Sequence, residues 1–223
     1  MIVAFVLDFT IIGTTGGDPM IALTKLPEDL ARARASAIWP IEAWLYTLQI
    51  VPFAIFVLGV RASLRSAGQE ALADVFALSG VVFMSLHTLH NLGIVTTVQV
   101  LAAGYVPGSA EGAAIEAVAR GLLGLSYAAF VPGGGVGTAF LAIALAAFAA
   151  AQRESRALPR WSGRLATASA ALLVVGYAQY VVPPTFFVAL FGYVIYIAWT
   201  IVVTVGLARP FQARSAVFAP QPA

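Results

Sequence analysis

The only two histidines of the chain, His87 and His90, lie in the segment FMSLHTLHNLG at residues 83–93, and Asn91 follows directly. Residues three or four apart share one side of a helix, so these three polar side chains would form one face. Histidine ligates metals and exchanges protons near neutral pH. The segment therefore raises two kinds of chemistry, metal ligation and proton transfer.

Metal ligation is the weaker of these two interpretations. A zinc site takes three or four protein ligands, whereas the histidine pair supplies two and Glu42 is the one further ligand that we place nearby. The chain has no cysteine, which excludes thiolate ligands, thiol catalysis and disulfides. We predict neither a metal nor a cofactor.

The residues around the histidines are typical of a protein embedded in hydrocarbon. Of 223 residues, 61% are hydrophobic and 10% are charged, whereas an ordinary soluble domain has about 25% charged residues. The mean hydropathy is +0.92. We therefore predict an all-α integral membrane protein that forms one compact bundle without a separate soluble domain.

Six segments are long enough, or nearly long enough, to cross a bilayer, which takes about 20 mostly apolar residues in a helix. These segments are 1–17, 38–60, 74–103, 122–151, 163–182 and 186–208. The first has no basic flank and no small-residue cleavage site, so we interpret it as a retained span rather than a signal peptide. The prediction is a polytopic bundle over 1–210 with a short disordered tail over 211–223.

The fourth segment is interrupted by VPGGGVG at residues 131–137. Pro132 removes a helix donor and the glycines loosen the backbone, so we predict a surface or re-entrant helix over 112–130 and a span from 133. No Lys-Ser or Lys-Thr follows, which argues against a phosphate loop. Gly133 and Gly137, four residues apart, are better explained by close helix packing.

The basic residues predict the orientation, because cytoplasmic loops near spans retain Lys and Arg. Most of them fall on one side of the bundle: Arg61, Arg65, Arg153, Arg156, Arg160, Arg164, Arg209 and Arg214. We therefore predict a cell-membrane protein with both termini cytoplasmic. The segment LPEDLARARAS at 26–36 falls on the other side as a short interfacial helix. No basic run with interleaved aromatics is present, so we predict no nucleic-acid partner.

Several polar residues of the predicted spans lie at similar depths. At about 1.5 Å per residue, His87, His90 and Gln179 lie roughly 20–24 Å above the cytoplasmic ends of their spans, and Glu42 roughly 27 Å. We predict a polar pocket in the outer half of the membrane, formed by Glu42, Gln49, His87, His90, Asn91 and Gln179. Glu42 and His90 are its candidate general acid and base. Interhelical hydrogen bonding by these same residues is the favoured alternative.

Three segments resemble a group of bacterial six-span membrane proteins that has no assigned function. They read IEAWLYTLQIVPFAIFVLGVRASLR at 41–65, ALADVFALSG at 71–80 and ALPRWSGRL at 157–165, and the Leu-Pro-Arg-Trp turn is the most specific piece. The third span of that group commonly contains an Arg and a Glu in a stretch similar to FRILEA. FMSLHTLHNLG stands there in this chain, so the resemblance implies a topology and no reaction.

Three functions fit these features. The first is a structural or accessory membrane protein, with lipid and other membrane subunits as partners. The second is a membrane enzyme that acts on a lipid-soluble molecule such as an isoprenoid or quinone in the Glu42 and His90 pocket. The third is a small transporter that uses Asp8, within the first segment, and the broken VPGGGVG helix.

Overall fold

The computed structural model describes residues 25–36, 48–130, 135–155, 157–180 and 185–217, together with 23, 41, 44 and 182. Several predictions fall on residues outside this set: those on Asp8, Glu42, Pro132 and Gly133, and that on the span 1–17. Within the described residues all regular structure is helical, which confirms the all-α class.

The chain folds into seven helices over the described residues, and the third and the sixth of these are continued by a turn of a different helix type. They are α1 (Leu26–Ala35), α2 (Ile50–Ser66), α3 (Glu70–Val95, continued by a π-helical turn at Thr96–Leu101 and by Ala102–Gly104), α4 (Ala110–Ala129), α5 (Gly135–Ser155), α6 (Arg160–Gly176, continued by a 3₁₀ turn at Tyr177–Tyr180) and α7 (Thr185–Val217). The last helix runs past the start of the predicted tail at 211.

Three of these helices are long and apolar enough to cross a membrane: Glu70–Gly104, Gly135–Ser155 and Phe187–Ala208. α2 and α6 are each 17 residues long, which is short for a hydrocarbon layer about 30 Å thick. The apolar sequence of α4 is interrupted by three charged residues, Glu111, Glu116 and Arg120. The described part of the chain thus has three candidate spans.

The described residues fall into two compact units. The first unit takes them from Met1–Val51 and Met84–Val131, and the second from Pro52–Phe83 and Pro132–Ala223. α3 contributes its first half to the second unit and its second half to the first.

The core of the first unit forms where α1 packs on the π-helical turn and on α4. Leucines and an alanine at helical spacing on α1 bury one face of that helix, and the full cluster is Leu26, Leu30, Ala33, Val98, Ala102, Tyr105, Ala119 and Leu123. Arg34 donates a hydrogen bond to the carbonyl of Tyr105 at 2.6 Å, and Arg120 donates to the carbonyl of Leu23 at 2.9 Å. Polar contacts at both ends therefore hold α1 in place.

The hydroxyl of Tyr105 adds a further contact in this unit by donating to the carboxylate of Glu116 at 2.6 Å. This hydrogen bond is the main reason that the pKa of the Tyr105 phenol is raised, with desolvation as a second cause. The hydroxyl therefore keeps its proton and remains a donor to Glu116.

The second unit depends on close packing among α5, α6 and α7. Gly176 on α6 lies against Ala189 on α7, and Gly192 on α7 lies against Leu172 on α6. The hydroxyl of Ser169 donates to the carbonyl of Gly192 at 2.8 Å. Small residues that allow helix backbones to approach closely are typical of helix packing in membranes.

Candidate functional site

His90 is the buried centre of a polar contact between α3 and α4. Its side chain is 7% exposed, and Ser126 on α4 is 2% exposed. The His90 Nδ1 atom lies 3.1 Å from the Ser126 hydroxyl oxygen, and that hydroxyl donates to the carbonyl of His90 at 3.3 Å. We call this pair of hydrogen bonds the His90–Ser126 contact.

The Ser126 hydroxyl has one proton, which can be given to the carbonyl of His90 or to Nδ1. In the first case Nδ1 carries a hydrogen and donates it to the hydroxyl oxygen, and in the second Nδ1 accepts. In both cases Nδ1 is bonded to Ser126. One of the two ring nitrogens is thus committed to holding α3 and α4 together.

Gly93 lets α3 and α4 approach closely at the His90–Ser126 contact. A Cβ atom at this position would lie 2.7 Å from the Cβ of Ser126, which is closer than real side chains come. Gly93 is three residues after His90 and therefore shares its side of the helix. A glycine facing a serine is a common way to bring helices together in membranes.

Aromatic rings at the end of α4 cover both imidazoles. The ring centroid of His87 lies 4.5 Å from that of Phe130, in an edge-to-face arrangement. His90 lies 5.6 Å from Phe130 and 5.5 Å from Tyr127. Phe130 reaches this position because α4 ends there and its backbone becomes extended.

Some buried polar atoms of the first unit have no hydrogen-bond partner among the described residues, among them Gln49 Nε2, Thr88 Oγ1 and Asn91 Nδ2. Thr88 and Asn91 are three residues apart on α3 and share one side of it. An unpaired buried polar group costs about 1–3 kcal/mol, so each such group calls for a partner.

The π-helical turn follows this polar stretch of α3. It spans Thr96–Leu101, and the hydroxyl of Thr97 donates to the carbonyl of Gly93 at 2.8 Å. Within the turn, Gln99 accepts a hydrogen bond from the indole of Trp44 at 3.1 Å. Single π-helical turns are frequent at functional sites in α-helices, which supports the choice of this region as the candidate site.

The structure describes five of the six predicted pocket residues, because Glu42 lies outside the described set. Gln49, His87, His90 and Asn91 are all in the first unit, and His90 and Asn91 are buried as predicted. Gln179 belongs to the second unit and is half-buried. The predicted contact of His90 or Asn91 with Glu42 stays a prediction.

Two further predictions concerned helix packing at Gly133 and Gly137 and metal binding at the histidines. Gly137 is buried within α5, whereas its predicted companion Gly133 is outside the described residues. His87 and His90 have their ring centroids 6.4 Å apart. Over the described residues no group of three or more His, Cys, Asp or Glu side chains is placed to hold a metal.

Sequence reasoning missed Ser126 and its aromatic neighbours. Ser126 occurs in LSYAAF, where a single serine in an apolar stretch is chemically unremarkable. The signal that could have found it is the pairing of small residues, since Gly93 needs a small partner on the facing helix. The position of Phe130 at a helix end could have been predicted only from Pro132, which follows it closely in the sequence.

No protein-family model matches the chain, and neither curated proteins nor solved structures provide a significant match. The resemblance to the bacterial six-span group therefore stays a prediction.

Proposed function

We propose that the protein is a multi-pass protein of the cell membrane with a structural or accessory role. The His90–Ser126 contact is the observation that carries this proposal. A general base has to reach the proton that it removes, whereas His90 has one ring nitrogen bonded to Ser126 and its ring packed against Tyr127 and Phe130. Its polar atoms serve helix association, as His and Ser commonly do in membranes.

Six spans with both termini in the cytoplasm form the topological part of the proposal. The three long apolar helices support a membrane location. Arg61 and Arg65 near the end of α2 and Arg153 near the end of α5 support placing those helix ends on the cytoplasmic side. The end of α4 at Ala129 and the start of α5 at Gly135 support a break between them in the VPGGGVG segment.

Cysteine labelling tests this topology. The natural chain has no cysteine, so a single cysteine introduced at Ala157 reports one position without background. We expect a membrane-impermeant maleimide to label it only after the membrane is opened, and reporter fusions at both termini to give a cytoplasmic signal. Labelling of intact cells at Ala157 would refute the orientation.

A membrane enzyme acting on a lipid-soluble molecule is the second candidate. Thr88 Oγ1 and Asn91 Nδ2, which have no hydrogen-bond partner in the part of the chain that the structure describes, favour it, because a bound polar group would satisfy them. Glu42 would supply the proton in such a site. Mass spectrometry of solvent extracts from purified protein tests this candidate.

We expect the wild type and the Asn91→Leu variant to carry the same extractable molecules if the role is structural. A quinone- or isoprenoid-like molecule that is present at one per chain and lost in Asn91→Leu would favour the enzyme instead. Ser85→Leu, an exposed position on the same helix, is the matched control for general effects of a leucine on α3.

A further inference from the structure

A cleft lies between the end of α5 and the start of α6 in the second unit. Its volume is about 480 Å³, and three arginines line it, Arg153 on α5 and Arg160 and Arg164 on α6. Pockets for small ligands are typically about 300–1,000 Å³. We call this feature the arginine cleft.

The two arginines of α6 belong to one stripe of that helix. Arg160, Gly163, Arg164, Thr167 and Ala168 line the cleft at spacings of three and four residues, which places them on one side of α6. Gly163 lies between the two arginines, and a Cβ there would come within 3.2 Å of Gln152 Cγ. The absence of a side chain at Gly163 therefore lets α5 approach α6 beneath the arginines.

Gln152 fixes the turn that joins the two helices. Its side chain is 4% exposed; it accepts a hydrogen bond from the Leu158 N–H at 3.3 Å and donates to the carbonyl of the same residue. On the far side, Pro159 packs against Gly206 of α7. The cleft is thus built on a defined turn, so the arginines start from fixed backbone positions.

The arginines of the cleft differ from those near the end of α2. Arg61 pairs with Asp74 at 2.8 Å, and Arg65 lies 3.9 Å from Glu70. No carboxylate lines the arginine cleft or forms a salt bridge with its arginines within the described ranges. The nearest acidic residue in sequence, Glu154, accepts a hydrogen bond from Gln69 at 3.1 Å instead.

We propose that the arginine cleft binds the phosphate groups of an anionic phospholipid headgroup, an inference that rests on the proposed membrane location. Guanidinium groups bind phosphate oxygens through two parallel hydrogen bonds. Basic pockets between membrane helices on the cytoplasmic side bind headgroups with several phosphates. Three positive charges best match a headgroup with two phosphodiesters, such as that of cardiolipin.

Trp161 supports a lipid rather than a soluble phosphate as the ligand. It follows Arg160 at the start of α6, and 58% of its surface is exposed. Tryptophan is enriched at the level of the lipid headgroups, where its ring meets both hydrocarbon and water. An exposed tryptophan next to Arg160 therefore supports placing the mouth of the cleft at the depth of the headgroup phosphates.

Native mass spectrometry of the purified full chain in neutral detergent tests this inference. The probes are cardiolipin, zwitterionic phosphatidylcholine and inorganic phosphate, each titrated separately. We expect cardiolipin to bind at least about tenfold more tightly than phosphatidylcholine, because only the former offers two unneutralised phosphates. Inorganic phosphate alone should give no adduct at the same concentration.

Paired variants show whether the cleft is responsible. R153Q/R164Q should reduce cardiolipin affinity at least about tenfold, since it removes two of the three forks. R61Q/R65Q removes the same charge from arginines that already have carboxylate partners, and it should leave the affinity nearly unchanged. R153K/R164K keeps the charge but loses the planar fork, so it should also weaken binding and provides the test if the glutamine variant does not fold.

Three results would overturn the inference: equal affinity for cardiolipin and phosphatidylcholine, equal losses in the two glutamine variants, or cleft-dependent binding of inorganic phosphate without a lipid preference. The membrane location is checked separately on the same cells. Extraction of the wild-type chain by alkaline carbonate would refute the proposed function, whereas a missing lipid preference in a chain that stays in the membrane would refute the headgroup site alone.

Discussion

The His90–Ser126 contact and the arginine cleft place polar groups in opposite ways. In the first, a histidine and a serine on neighbouring helices are buried and bonded to each other. In the second, three arginines on neighbouring helices line an open cleft with no carboxylate among its lining residues. The difference indicates which polar groups hold helices together and which are left to bind something else. Proximity of polar residues alone does not make that distinction.

A large side chain at the close contact between α3 and α4 should have the largest effect on stability. Gly93→Leu places side-chain atoms where the Cβ of Ser126 lies, so it should both overpack the helices and break the His90–Ser126 contact. We expect a loss of about 2–6 kcal/mol in the free energy of unfolding, as the sum of those two effects. Unfolding in detergent, followed by circular dichroism, measures it.

Gly121→Leu is the matched control for that change. Gly121 is on α4, and a Cβ there would meet nothing within 4 Å. The control should be as stable as the wild type or slightly more stable, because leucine has a higher helix propensity than glycine. If both leucine variants unfold alike, Gly93 is not a packing position and the closed contact loses its support.

His90→Leu should have the next largest effect. It removes the ring's hydrogen bond to the buried Ser126 hydroxyl, which keeps only its bond to the carbonyl of residue 90, and it removes the ring contacts with Tyr127 and Phe130. We expect these losses together to cost about 1–3 kcal/mol. Adding Ser126→Ala should recover part of that loss, because the double variant removes both polar groups. A double-mutant cycle by detergent unfolding measures the coupling, and strictly additive losses would show that the two side chains do not interact.

The substitution Gln152→Leu tests the turn on which the arginine cleft is built. It leaves the N–H and carbonyl of Leu158 without their side-chain partner, so we expect a loss of about 1–2 kcal/mol in stability together with weaker cardiolipin binding. Gln69→Leu, which removes only the exposed hydrogen bond to Glu154, is the control. A fully stable Gln152→Leu protein would mean that the turn does not depend on this side chain.

The smallest expected effect concerns the metal content, which elemental analysis of the detergent-purified protein measures. We expect no stoichiometric transition metal, because His87 and His90 give two ligands and a closed zinc site takes about four. A metal present at one per chain and lost in His87→Ala would make the histidine region a ligand site, like the cleft, and would remove the contrast between them.

The sequence was most informative about helix class and helix faces. Low charge and apolar runs predicted an all-helical chain, and the third predicted span, 74–103, nearly coincides with the helical stretch Glu70–Gly104. The spacing of His87, His90 and Asn91 predicted a common face towards the interior, on which His90 and Asn91 are buried and His87 is half-buried. Both results depend on local periodicity, which a single sequence contains.

Partners across helices were harder to predict. Ser126 is one of several serines in the chain, and only its position opposite Gly93 distinguishes it from the exposed ones. The predicted span 122–151 covers parts of α4 and α5, because a hydropathy window averages over the end of one helix and the start of the next. Arg153, Arg160 and Arg164 served only to predict the topology. Their convergence on one cleft depends on the hydrogen bond between Gln152 and Leu158, which the sequence does not show.

The docking of α1 has a consequence for how the protein is made. The contact between Leu23 and Arg120 joins residues 97 positions apart. At a synthesis rate of about 5–20 residues per second, Arg120 follows Leu23 by roughly 5–20 s. During that interval the leucine face of α1 has been synthesised but its partners on the π-helical turn and α4 have not. We expect that face to bind at the membrane surface, as amphipathic helices do, until α4 emerges from the ribosome.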